Sequence, residues 1–183
     1  MDCPKVKSYF AETMSKAKLK KHMLSMTKEQ VVDVMLELYS SSKEAKSWLE
    51  FYIEPDVKKE LEKYKKAIRN QFFSWKGYPK DPSFRECNNL VSSFMKLYPD
   101  PHTTADLMLY YVEQGCELTR QFGDYDAPFY RAVENNFNKA MKFISEYNLD
   151  VELYPRIKRM IDSVDCLGYG FQDNLWEIYR EHT

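Results

Sequence analysis

The residues best spaced for chemistry are carboxylates. Glu113 and Glu117 stand four apart, which puts both on one side of a helix, and Asp124, Asp126 and Glu134 follow soon after. Carboxylates brought together across a helical hairpin bind a hard cation or act as an acid–base pair. Di-metal sites in helical bundles add Glu-x-x-His pairs, and this sequence has none. Glu117 has Arg120 and Arg131 within reach as ion partners, and Asp124 has the simpler role of a helix N-cap. No metal is therefore expected.

A second constellation is the aromatic segment from Gly168 to Trp176. Gly168 and Gly170 permit close backbone approach or positive φ. Tyr169, Phe171 and Trp176, together with Asp124 and Asp126, are candidates to line a ligand pocket. The competing reading is that the glycines turn the chain and the rings complete a core.

A third is cationic. Lys16, Lys18, Lys20 and Lys21 crowd one short segment, and Lys58, Lys59, Lys63 and Lys66 lie along another. Cations held along a surface track phosphates, so these eight are the candidate nucleic-acid-binding residues. Against this, arginine is scarce in that half, and Glu60 and Glu62 alternate with the lysines as on an ordinary solvated helix.

The four cysteines and three histidines are dispersed, with no C-x-x-C pair. Cys116 reads as a small buried apolar residue. Phosphate-loop, dinucleotide and nucleophile-elbow patterns are absent, so no cofactor and no catalytic residue is assigned. No long uncharged apolar run marks a membrane span, and Met1–Met14 lacks the apolar stretch of a secretory signal. A cytoplasmic location with reduced thiols is expected.

The elements that must position these groups are helices. Glycine is rare, at 5 residues in 183, and no Val/Ile-rich alternation suggests strands. Thr27-Lys-Glu-Gln30 is a capping box ahead of Val31, Val34, Met35, Leu38 and Tyr39, a helical stripe. Ser40–Ser42 offers a break, and Ala45, Trp48, Leu49, Tyr52 and Ile53 repeat the spacing. A helix from Val57 to Phe72 shows Lys58, Lys59, Lys63, Lys65, Lys66 and Arg69 on its outer side. Asp81-Pro82 opens the next helix, Pro99-Asp-Pro101 breaks it, and Thr103 or Thr104 caps another. Gly123 suits a C-terminal cap, Asp124–Asp126 an N-cap, and Asn148 a stop. Two further stripes end near Gly168 and the C-terminus. Gly115 inside a helical pattern implies a close crossing or a bend, since glycine there costs about 1 kcal/mol relative to alanine.

These elements predict an all-α protein of about eight amphipathic helices, antiparallel hairpins in a compact bundle or short array. Residues 1–13 read as an extension, with Met14 as an alternative start, and 14–183 as one helical domain with a subdivision near 99–101. Charge changes sign at that break. Residues 1–98 hold 19 Lys and Arg against 13 Asp and Glu, and residues 99–183 hold 8 against 15. Opposite charges either join the halves inside one fold or promote self-association.

Several segments in order carry a resemblance. They are Met14-Ser-Lys-Ala-Lys-Leu-Lys-Lys-His22, Leu36-Glu-Leu-Tyr39, Lys43-Glu-Ala-Lys46 and Leu49-Glu-Phe-Tyr52. Further on come Ala105-Asp-Leu-Met-Leu-Tyr-Tyr-Val-Glu113, Phe122-Gly-Asp-Tyr-Asp126 and Leu167-Gly-Tyr-Gly-Phe171. Over residues 14–180 the chain resembles a bacterial family of small helical proteins of unknown function. The resemblance implies a cytosolic, all-helical bacterial protein and no activity.

The leading expectation is a non-enzymatic helical module that binds another protein or itself. The alternatives are a nucleic-acid-associated protein using the basic half, and a small-ligand or metal binder or enzyme at the acidic, aromatic pocket.

Overall fold

A computed structural model describes residues 15–97, 99–165 and 167–183. Among them every regular element is an α-helix, and the one β-type contact is an isolated bridge between Phe73 and Pro79. The chain divides into two compact units, one ending at Ile53 and one running from Glu54 to Thr183. The Pro99–Pro101 break falls inside the second unit. Residues 1–13, read above as an extension, lie outside the described residues.

The first unit contains α1 (Lys16–Leu24), α2 (Lys28–Ser41) and α3 (Lys43–Ile53). The capping box forms as its sequence dictates: Gln30 N–H donates to the Thr27 hydroxyl, and Thr27 N–H donates to the Gln30 side chain. Helix α2 runs through Ser40 and Ser41, and Ser42 makes the turn, its hydroxyl accepting from Ala45 N–H. Helices α2 and α3 pack as a hairpin. Val31, Met35, Tyr39, Ala45 and Leu49 are half-buried, while Val34, Leu38, Trp48 and Tyr52 remain exposed. No residue of α1, α2 or α3 is fully buried.

The second unit holds the core. It comprises α4 (Val57–Phe72), α5 (Phe84–Met95), α6 (Pro101–Phe122), α7 (Ala127–Glu146), α8 (Asp150–Asp162) and α9 (Phe171–Glu181). Helix α6 is central, packed against α4, α5, α7 and α8, and α9 closes over α7 and α8. Between Thr104 and Thr119 no residue of α6 is exposed. A helix buried all round must be apolar nearly all round, and α6 buries Ala105, Leu107, Leu109, Val112, Cys116 and Leu118.

Several helix starts differ from expectation. Helix α5 is capped by Ser83, whose hydroxyl accepts from Glu86 N–H, so the Asp81-Pro82 pair lies before it. Helix α6 begins at the double-proline break itself. Asp100 accepts from Thr103 N–H and Pro101 takes the first turn, where a missing N–H costs nothing. Helix α7 is capped by Asp126, not Asp124. Pro155 stands inside α8, a feature the apolar spacing hides.

Gly115 has the explanation its position requires. A Cβ there would lie 2.7 Å from Val133 Cγ2, so α6 and α7 cross at a point where only hydrogen fits. Gly115→Ala is therefore expected to destabilise the protein by about 1–2 kcal/mol, overpacking outweighing the gain in helix propensity. Urea denaturation checks this: Val133→Ala should recover part of the loss in the double variant, and strict additivity would refute the crossing as the cause.

Candidate functional site

The candidate carboxylates do not form one acidic cluster. Glu113, on α6, is held by Arg156 of α8 in a two-pronged pair, Nε to Oε1 at 2.6 Å and Nη2 to Oε2 at 2.9 Å. The same guanidinium donates through Nη1 to Asp106 Oδ1 at 2.6 Å, and Lys65 of α4 donates to Asp106 Oδ2 at 2.8 Å. Two cations and two carboxylates thus tie three helices together. Lys65, placed on the outer side of α4 by sequence, is mostly buried in this pair. The Lys65–Asp106 bond also joins the basic and acidic parts of the sequence within one unit. Glu117 is occupied by Arg120 and Gln121.

Electrostatics agree with the geometry. Burial alone would raise the Asp106 carboxyl, but hydrogen bonds from Lys65 and Arg156 outweigh it and hold the group below its usual range. Burial works against the Arg156 charge, and Glu113 and Asp106 overcome it, so the guanidinium is held above its ordinary value. Beside this network lies a cavity of about 330 Å³, lined by Glu113, Cys116, Glu117, Arg156, Arg159 and Met160 and flanked by Ser163. Its carboxylates already have cationic partners, so it lacks a free base.

Asp124 does different work from the capping expected of it. Its Oδ1 accepts from the Tyr130 hydroxyl at 2.7 Å and from Gly168 N–H at 3.0 Å, 44 residues away. A Cβ at Gly168 would come within 3.0 Å of Asp124 Oδ2, so the carboxylate closely approaches the backbone there. These two hydrogen bonds hold the Asp124 carboxyl below its usual range. Tyr130 is also bonded to Thr119 at 2.8 Å, and its ring packs on Tyr169 and Phe171. Asp124, Tyr169 and Phe171 are thereby brought to one place. Phe171 is fully buried and Tyr169 is exposed with φ of 61°. Asp126 is engaged at the start of α7, and Trp176 packs edge-on against Tyr179 with Lys158 over its ring.

The lysines fall in separate units. Lys16, Lys18, Lys20 and Lys21 are exposed on α1, a helix without an acidic residue. Lys58, Lys59, Lys63 and Lys66 are exposed on α4, and Lys63 is paired with Glu60 at 2.9 Å.

Neither described cysteine is poised as a nucleophile. Burial pushes the Cys87 thiol up to about 12, and burial also raises Cys116. Cys3 and Cys166 lie outside the described residues. Among the described residues, no three His, Cys, Asp or Glu side chains converge as metal ligands, and no helix is long and apolar enough to cross a membrane.

A model of a family of unknown function, DUF6155, matches residues 14–177. The chain belongs to this family. Membership covers both units and assigns no activity to either. No curated protein and no solved structure matches the chain.

Sequence reasoning missed the Arg156 network. The signal was present: Asp106 and Glu113 are seven apart in the apolar central stretch of one helix, a spacing that places both on one side and calls for a cation there. Arg156→Met is expected to cost about 2 kcal/mol at pH 7. That is below the figure for a fully buried pair, because these side chains keep a fifth to a quarter of their exposure. Asp106 has a depressed folded-state value, so its contribution is full above about pH 4 and is lost as pH falls through that value. Denaturation at pH 7 and pH 3 should therefore show the Arg156→Met penalty shrinking in acid; a penalty independent of pH would contradict the ion-pair account.

Proposed function

We propose that this protein is a helical interaction module whose binding element is the α2–α3 hairpin. The observation that carries the reading is the contrast between two kinds of amphipathic helix in one chain. In the second unit side chains in the apolar stripes of α4 to α9 are buried, at least two on each helix. In the hairpin they are not: Leu36, Tyr52 and Ile53 are each more than half exposed, and Val32, Val34, Leu38 and Trp48 are exposed as well. Val34 and Leu38 are four apart on α2, as are Trp48 and Tyr52 on α3, whose rings stack at 5.3 Å. Exposed apolar side chains at helical spacing suit an apolar helix face on another protein or a second copy, and aromatic rings anchor such contacts.

A second reading has its own observation. The α1 lysines have no acidic partner among the described residues, which leaves their charge available to phosphates. A nucleic-acid association through α1 would appear as binding that weakens steeply with salt.

Photo-crosslinking tests the first reading directly. A benzophenone amino acid placed at Tyr52 is expected to give a discrete crosslinked species in native lysate or with purified chain, and the same probe at the exposed Tyr147 is not. Leu38→Glu should abolish the product while leaving helicity by circular dichroism unchanged. Equal crosslinking from both positions, or a product insensitive to Leu38→Glu, would defeat the assignment of the hairpin.

A further inference from the structure

A second cavity, of about 290 Å³, lies between α5, α6 and α7, wholly within the second unit. Its apolar lining is the buried Val91 and the exposed Met95 on α5 and the half-buried Met108 on α6. Methionines adapt their shape to an occupant and give an unbranched apolar surface. Its floor is closed by two buried polar groups that are already engaged. The Tyr111 hydroxyl donates to Phe84 O at 3.2 Å and accepts from Asn136 Nδ2 at 3.2 Å, and Asn136 Nδ2 donates also to Ala132 O at 2.7 Å. This leaves Asn136 Oδ1, whose one protein partner among the described residues is Lys139 Nζ at 3.4 Å, beyond ordinary hydrogen-bond length.

The remaining lining is rich in donors. Lys139 has no carboxylate partner among the described residues, and the side chains of Asn88 and Ser92 form no hydrogen bond there. Among the described residues no carboxylate lines this cavity. The contrast with the cavity beside Arg156 is chemical: there the charges are matched, and here an ammonium and two neutral donors meet no anion. A partly apolar cavity bordered by the exposed Lys139, which has no carboxylate partner among the described residues, is complementary to an amphiphile with a single negative head.

We infer that the α5–α6–α7 cavity binds a small carboxylate with a short unbranched apolar tail. The carboxylate is received by Lys139 Nζ with Asn88 and Ser92, and the tail lies along Val91, Met95 and Met108. The volume lies just below the usual range for ligand pockets, which limits the tail to a short chain. This inference is independent of the hairpin: it concerns a different unit and a different class of ligand.

The test is isothermal titration of the full chain with octanoate, below its micellar range, against octanol and inorganic phosphate as controls. Saturable binding of one octanoate is expected, with octanol and phosphate each at least about tenfold weaker, because each lacks one half of the recognition. Lys139→Met should weaken octanoate to the level of octanol. Met108→Trp, which fills the slot without touching the cation, should abolish binding while circular dichroism stays unchanged. Octanol binding as well as octanoate, octanoate binding unaffected by Lys139→Met, or no binding of octanoate at all would each overturn the inference.

Discussion

The second unit depends on one constraint: α6 is enclosed by other helices yet carries polar side chains. A buried polar group without a partner costs more than most packing contacts contribute. Several polar residues of α6 are therefore met by a particular side chain of a particular neighbour. Asp106 is met by Lys65 of α4 and Arg156 of α8, Glu113 by Arg156, and Gln114 by Arg69 of α4. Tyr111 and Thr119 are met by Asn136 and Tyr130 of α7. Apolar stripes alone would let α4, α7 and α8 slide or rotate against α6. The polar pairs select one register for each, which is the best-supported use of buried polarity.

The close approach of α6 and α7 belongs to the same logic. Gly115 lets the helices come near enough at Val133 for Thr119 to reach Tyr130 one turn further on. Tyr130 then holds Asp124, and Asp124 holds the Gly168 backbone, so the start of α9 is fixed through a chain of hydrogen bonds that begins on α6. The stretch around Gly168–Phe171, for which the sequence offers both a pocket and a chain turn with core rings, lies at the seam where α9 meets the core. Phe171 enters that core completely, and Gly170 supplies the left-handed turn that aims it.

Much of the fold was legible because helices announce themselves by period and by breaks. The stripes of α2 to α9 needed only their apolar spacing, the Thr27 capping box needed only its four residues, and Gly115 signalled a crossing by standing where alanine would be better. The misreadings share one physical cause, competition between neighbouring residues able to do the same job. Asp100, Thr103 and Thr104 can each cap a helix, and the proline at 101 decides for Asp100. Asp124 and Asp126 can each cap α7, and Tyr130 and Gly168 draw Asp124 away. The partners of Asp106 and Glu113 lie 41 to 50 residues distant. Sequence can state that such groups need a cation, but only packing selects Arg156.

The same accounting bears on where function can reside. A carboxylate held on both oxygens by a guanidinium is committed to an ion pair, and a thiol raised by burial is not poised to attack. Glu113 and Cys116, the most suggestive residues of α6, are thus absorbed by structure. What the fold leaves unspent lies elsewhere: apolar and aromatic side chains on a hairpin that buries nothing fully, and an exposed lysine bordering a cavity that no carboxylate lines among the described residues. Short helices draw most of their stability from a covered apolar face. Each helix from α4 to α9 buries at least two apolar side chains, whereas the α2–α3 hairpin keeps Leu36, Tyr52 and Ile53 more than half exposed, so the same helical spacing is used in two different ways within one chain.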